Sequence, residues 1–194
     1  MAHIPKIAVL VSGGGSNLQA IIDAIDDKRL NAEIKIVISS NTKAYALERA
    51  KKHGINTHII SKKLFSNPSS EISKIVQDNR IDLIVLAGYL GILSGDILKQ
   101  YHNRIINIHP ALLPKFGGPG MYGHYVHEAV INAKEKESGA TVHYVTANID
   151  GGKIILQKKV PVYIGDTTSS LAERVLIEEH TILPEAINLV LHPK

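Results

Sequence analysis

Four nearly continuous apolar runs limit how this chain can fold: "IAVLV" at 7–11, "IKIVISS" at 34–40, "THII" at 57–60 and "DLIVLAGY" at 82–89. A strand with one wet face alternates polar and apolar residues, whereas a strand covered on both faces reads as an unbroken apolar segment. Amphipathic stretches separate the runs, at 16–27, 43–54 and 69–80, the last with Ser69 or Ser70 as its N-cap. Strand and helix alternating at this spacing predict a parallel sheet with right-handed crossovers and helices on both faces.

The second half departs from that rhythm. A fifth strand, "RIINIHP" at 104–110, leads into a glycine-rich loop, "KFGGPGMYG" at 115–123, and then a helix over 124–136. "ATVHYVT" at 140–146 and "KIILQKKVPV" at 153–162 flank the tight "ANIDGG" and read as a hairpin at the sheet's edge. A helix over 167–191, broken or kinked near Pro184, closes the chain. The expected fold is α/β, one domain over 1–194 with a Rossmann-like, mostly parallel sheet and an antiparallel strand in the C-terminal half.

A chain of 194 residues closes one substantial core without staples. It has no cysteine, which excludes disulfides, thiol catalysis and Cys-ligated metals and suits the cytoplasm. The net charge of +4 is spread over isolated lysine pairs, which disfavours nucleic acid and suits a phosphorylated or carboxylated small substrate. Residues 1–6 contain Pro5 and lead into only about five apolar residues, too few for a signal segment or a membrane span.

Gly13, Gly14, Gly15, Ser16 and Asn17 stand between the first strand and the first helix. In an open parallel sheet such a turn aims backbone amides and a helix N-terminus at an anion. Leu18 stands where the dinucleotide fingerprint needs its third glycine, and no Gly-Lys-Ser/Thr follows, so the turn suits one phosphate. Read alone, it also fits a tight strand-to-helix turn with Ser16 as N-cap, the weaker of the two readings.

Asn107 and His109 stand two apart in an extended segment, so both side chains share one face near the strand's end. A buried amide there needs partners or costs about 1 to 3 kcal/mol. Either residue alone fits an internal network holding the Pro110 turn. Asp150, in the hairpin turn, changes the balance, because a carboxylate beside His109 raises its pKa while Asn107 supplies a neutral N–H. Together they suit oxyanion stabilisation and the movement of one proton. No serine or cysteine is placed as a nucleophile, which favours attack by a substrate's own nucleophile.

"SGGGSNLQAII", "LAGYLGIL", "NIHPALLPKF", "ATVHYV" and "DGGKIILQKKVPV" together, in this order from Ile7 to about Leu191, closely resemble the phosphoribosylglycinamide formyltransferases, the folate-dependent glycinamide ribonucleotide transformylases. The resemblance implies a formyltransferase-type fold and transfer of a formyl group from 10-formyltetrahydrofolate to the amine of glycinamide ribonucleotide, without a metal. It implies Asn107, His109 and Asp150 as catalytic residues. Gly14, Gly15, Ser16, Asn17, Gly88 and Glu179 would bind the ribonucleotide, and Leu90, Gly91, Ile92, Leu93, Asn148 and Asp150 the folate. Without the resemblance, Glu179 reads as an exposed helix charge. The implied partners are these two small molecules, with no nucleic acid and no membrane, and a homodimer is left open.

The chain departs from that pattern in three places. Gly91 stands where many relatives carry an arginine, "KKLFSNPSSE" lacks another, leaving Lys62 or Lys63 as substitutes, and the loop over 117–127 is longer. His124 and His127 in that stretch read as surface loop. The rivals are methionyl-tRNA formyltransferase and formyltetrahydrofolate hydrolase, each with an extra domain for which 194 residues leave no room, and a non-catalytic nucleotide-sensing domain. Apposition of Asp150 to His109 separates a catalyst from a sensor.

Overall fold

A computed structural model describes residues 3–193. In chain order the elements are β1 (Lys6–Val11), α1 (Ser16–Asp26), β2 (Glu33–Ser39), α2 (Tyr45–Lys52), β3 (Asn56–Ile59), α3 (Pro68–Asp78) and β4 (Leu83–Leu86). They continue as α4 (Asp96–Gln100), β5 (Ile105–His109), α5 (His124–Asn132), β6 (Glu137–Tyr144), β7 (Ile154–Pro161) and α6 (Thr168–Leu191). One seven-stranded sheet has the order β3-β2-β1-β4-β5-β6-β7. Its pairs are parallel from β3 to β5. β6 runs antiparallel to β7, as the hairpin pattern predicts, and also to β5.

The unbroken apolar runs follow from burial on both faces. Ile7, Val9 and Val11 pack into the layer shared with α1, α2 and α6, while Ala8 and Leu10 pack into the layer with α3 and α4. All five are fully buried. Each of the four larger side chains contributes about 1.5 to 3 kcal/mol by burial. The chain winds from β1 out to β2 and β3, then crosses to β4 on the other side of β1. The carboxyl ends of β1 and β4 therefore diverge into a crevice, the usual ligand site of such sheets.

Several local expectations change. The N-cap of α3 is Asn67, whose Oδ1 accepts the Ser70 N–H at 3.1 Å, with Pro68 at the start of the helix. α4 is too short to have shown a helical period. α5 ends at Asn132, and β6 starts earlier than expected, at Glu137. α6 is a single helix that begins with a reciprocal Thr167–Ser170 cap and continues through a buried Pro184, so the expected interruption is absent. No helix among the described residues is long and apolar enough to cross a membrane.

Candidate active site

β1 passes to α1 through the glycines. Gly15, with φ of 74°, is the N-cap of α1 and makes no side-chain cap bond, so Ser16 is the first helical residue and not the cap. A Cβ at Gly15 would lie 2.6 Å from the Ala46 Cβ of α2, so backbone angle and close packing both require glycine there. Gly13 and Gly14 differ, since a Cβ at either would meet nothing within 4 Å. The fold does not demand glycine at those two positions, while open space above backbone amides at a helix N-terminus suits an anion. Arg49 donates from Nε to the Gly14 carbonyl at 2.9 Å, which brings a guanidinium beside the turn.

A cavity of about 820 Å³ opens at the crevice. Its wall includes Asn17, Gly88, Leu90, Gly91, Ile92, Leu93, Asn107, His109, Asn148, Asp150 and Glu179. Gly14, Gly15 and Ser16 are not part of that wall, although Asn17, next in the chain, is. Lys62 and Lys63 are exposed and lie outside it. Gly88, with φ of 73°, turns the chain out of β4, and beyond it Leu90 and Ile92 are 63% and 62% exposed. A Cβ at Gly91 would fall 2.6 Å from the Tyr89 ring. A larger side chain there requires only that the end of the Tyr89 side chain move aside.

The polar cluster sits at the end of β5. His109 donates from Nε2 to the Phe116 carbonyl at 2.8 Å, which leaves Nδ1 facing the Asp150 Oδ2 at 3.7 Å. Oδ2 also accepts the Gly118 N–H at 2.9 Å. Phe116 and Asp150 both adopt left-handed backbone, at φ of 56° and 53°. Such conformations cost about 1 to 3 kcal/mol each and persist only where surroundings enforce them, often at functional sites. Burial is the largest influence on His109 and holds its pKa below the ordinary value, against the upward pull of Asp150 and the Phe116 carbonyl. The expected increase is therefore present as one contribution and outweighed. Burial pushes the Asp150 carboxyl up, but contacts with His143, the Gly118 N–H and His109 together hold it below its usual value.

His143 was not singled out from the sequence. Its Nδ1–H donates to the Tyr144 carbonyl at 2.9 Å, so its Nε2 is free to accept the Asn107 Nδ2–H at 3.1 Å. Nε2 also lies 3.5 Å from the Asp150 Oδ1. The imidazole thus fixes the Asn107 amide. A polar residue inside an apolar strand, the signal that marked His109, was present here in "ATVHYV" as well.

Glu179, on α6, is buried and accepts the Asn17 Nδ2–H at 2.6 Å, contrary to the reading as an exposed helix charge. Burial raises its pKa to about 7, with the Asn17 bond acting in the opposite direction. His124 and His127 belong to α5 and line the cavity. His127 is buried, so the surface-loop reading fails for it; burial, aided by His109, lowers its pKa to about 4. Among the described residues, no three His, Cys, Asp or Glu side chains are grouped to hold a metal ion.

A glycine turn, an apolar wall and a carboxylate–imidazole–amide cluster around one crevice define an α/β domain equipped for group transfer. Residues 5–187 match the family model described as formyl transferase, and the chain belongs to that family. Phosphoribosylglycinamide formyltransferase of Escherichia coli K12 is 41% identical over 94% of this chain and 85% of its own length. The crystal structure of glycinamide ribonucleotide transformylase 1 from Symbiobacterium toebii is 40% identical, with a TM-score of 0.91, covering 97% of this chain and 88% of that one. The human trifunctional purine biosynthetic protein adenosine-3 is 42% identical over 95% of this chain, which spans only 18% of that protein's length.

Proposed function

We propose that this chain transfers the formyl group of 10-formyltetrahydrofolate to the amine of glycinamide ribonucleotide in purine biosynthesis. The observation that carries this reading is the meeting of Asn107, His109 and Asp150 in one cavity whose wall runs from Asn17, beside the glycine turn, to the exposed side chains of Leu90 and Ile92. Residues 13–17 and Glu179 hold the ribonucleotide, with the phosphate on the amides of the turn. The folate lies along Leu90–Leu93 and Asn148. The whole chain acts as one unit, its N-terminal half serving the phosphate and its C-terminal half the folate and the chemistry. A chain without cysteine suits the reducing cytoplasm.

The reaction forms a bond from the amine nitrogen to the formyl carbon and breaks the bond from that carbon to the folate nitrogen. One proton leaves the amine and one reaches the folate nitrogen. An amine resembling an α-amino group, with a pKa of about 8, needs no strong base. Asn107 keeps one Nδ2–H for the formyl oxygen as negative charge develops there. His109 takes a proton at Nδ1, the nitrogen beside Asp150, and the carboxylate stabilises the resulting charge. That charge and the one on oxygen offset each other in a site where burial alone disfavours the imidazolium.

Purified protein supplied with both substrates tests this reading, with folate absorbance and products followed together. Formylated ribonucleotide is the expected product. Release of formate independent of the ribonucleotide would assign the chain to hydrolysis instead, and no change in the folate would leave it a binding domain.

A further inference from the structure

The segment from Gly88 to Ser94 carries the cavity's apolar wall and is packed into the core through Leu93 and Tyr89, yet its backbone makes few hydrogen bonds. Among the described residues its backbone N–H groups make two hydrogen bonds, both to serine hydroxyls. Leu90 donates to the Ser12 Oγ at 2.8 Å, and Ser94 donates to the Ser69 Oγ at 3.1 Å. Ser69 is on α3, away from the glycine turn. Ser12 is the residue immediately before Gly13 and is buried.

Ser12 is itself held from several sides. Its Oγ lies 2.6 Å from the Ser40 Oγ, and its carbonyl accepts the Asn41 Nδ2–H at 3.3 Å. One residue therefore carries both the first peptide of the glycine turn and the anchor of the apolar segment. We infer that Ser12 is a positioning residue that couples the two halves of the cavity, so that an anion on the glycine turn orders the segment carrying Leu90 and Ile92.

The physical basis is shared ordering. Amides converging on an anion restrict the backbone from Gly13 onward, which adds to the restraint that Ser40 and Asn41 already place on Ser12, to which Leu90 is tied. A ligand on the apolar wall then meets a segment already ordered, and each ligand tightens the other's binding. Loss of one such hydrogen bond corresponds to roughly 3- to 10-fold in affinity. The inference rests on the reading of residues 13–17 as a phosphate site, and its hydrogen-exchange arm needs no folate.

Amide hydrogen exchange across Gly88–Ser94 is measured with and without inorganic phosphate. In the wild type, phosphate should slow exchange at Leu90 several-fold. Ser12→Ala should abolish that response, Ser12→Thr, which keeps the hydroxyl, should restore it, and Ser69→Ala should loosen the segment while preserving the response. In the wild type, affinity for a folate should rise when phosphate is added, and Ser12→Ala should remove the increase. A purely structural role for Ser12 would lower the melting temperature and leave the phosphate response intact. A wild-type segment indifferent to phosphate, or a Ser12→Ala variant that still responds, overturns the inference. An exchange response without formyl transfer would reject the proposed function and retain the coupling.

Discussion

His109 gives its Nε2–H to the Phe116 carbonyl, 2.8 Å away, and so presents Nδ1 to the Asp150 carboxylate. The ring is thereby fixed in one tautomer by a residue in strained left-handed backbone, and the nitrogen able to change its protonation is the one beside the negative charge. Because burial already holds the His109 pKa below its ordinary value, removing the charge that raises it shifts it further down. In an NMR titration, Asp150→Asn should move the His109 midpoint to lower pH. The same variant should reduce the turnover number by roughly 100-fold or more.

Asn107 is oriented by His143, so replacing that histidine should act through the amide. His143→Phe removes the Nε2 acceptor and is expected to reduce kcat roughly 10- to 100-fold with little change in KM for either substrate. His143→Gln supplies an acceptor oxygen and should recover part of the loss. Steady-state kinetics with each substrate varied checks this, and a fall in affinity without a fall in kcat would contradict it.

Glu179 links stability to pH. Its pKa is about 7 in the fold against an ordinary 4.5, so between those values the folded state holds a proton that the unfolded state has released. Its contribution to stability is therefore complete at low pH and is lost as pH rises through about 7, by about 3 kcal/mol in all. Glu179→Gln should remove that loss, so that melting temperatures between about pH 4.5 and 7 fall less steeply with rising pH than in the wild type. The ribonucleotide's KM should rise in the same variant.

His127 has the opposite sense. Its folded pKa of about 4 lies below the ordinary 6.5, so the unfolded state takes up the proton first as pH falls. Stability declines from about pH 6.5 toward 4, by on the order of 2 to 3 kcal/mol. His127→Gln should flatten this decline in a series of urea unfolding curves.

The strands were legible because burial on both faces leaves an apolar run that cannot be mistaken for a half-wet strand, as at Ile7–Val11. Asn107 and His109 were legible for the complementary reason, as polar side chains inside such a run. His143 carries the same mark, but no partner for it is visible along the chain; Asn107 and His143 meet only through the pairing of β5 with β6. Glu179 resembled any helix charge, since its burial depends on α6 packing over α1, a contact between residues 162 apart. α6 continues through Pro184, so of the break or kink expected there the break is absent, and the proline is buried within the helix.

The most direct test of the account is formyl transfer by His109→Ala in a single turnover, measured beside ribonucleotide affinity. The account predicts a rate lower by roughly 100- to 1000-fold with affinity within about threefold of wild type. A variant that transfers the formyl group at near the wild-type rate would contradict it.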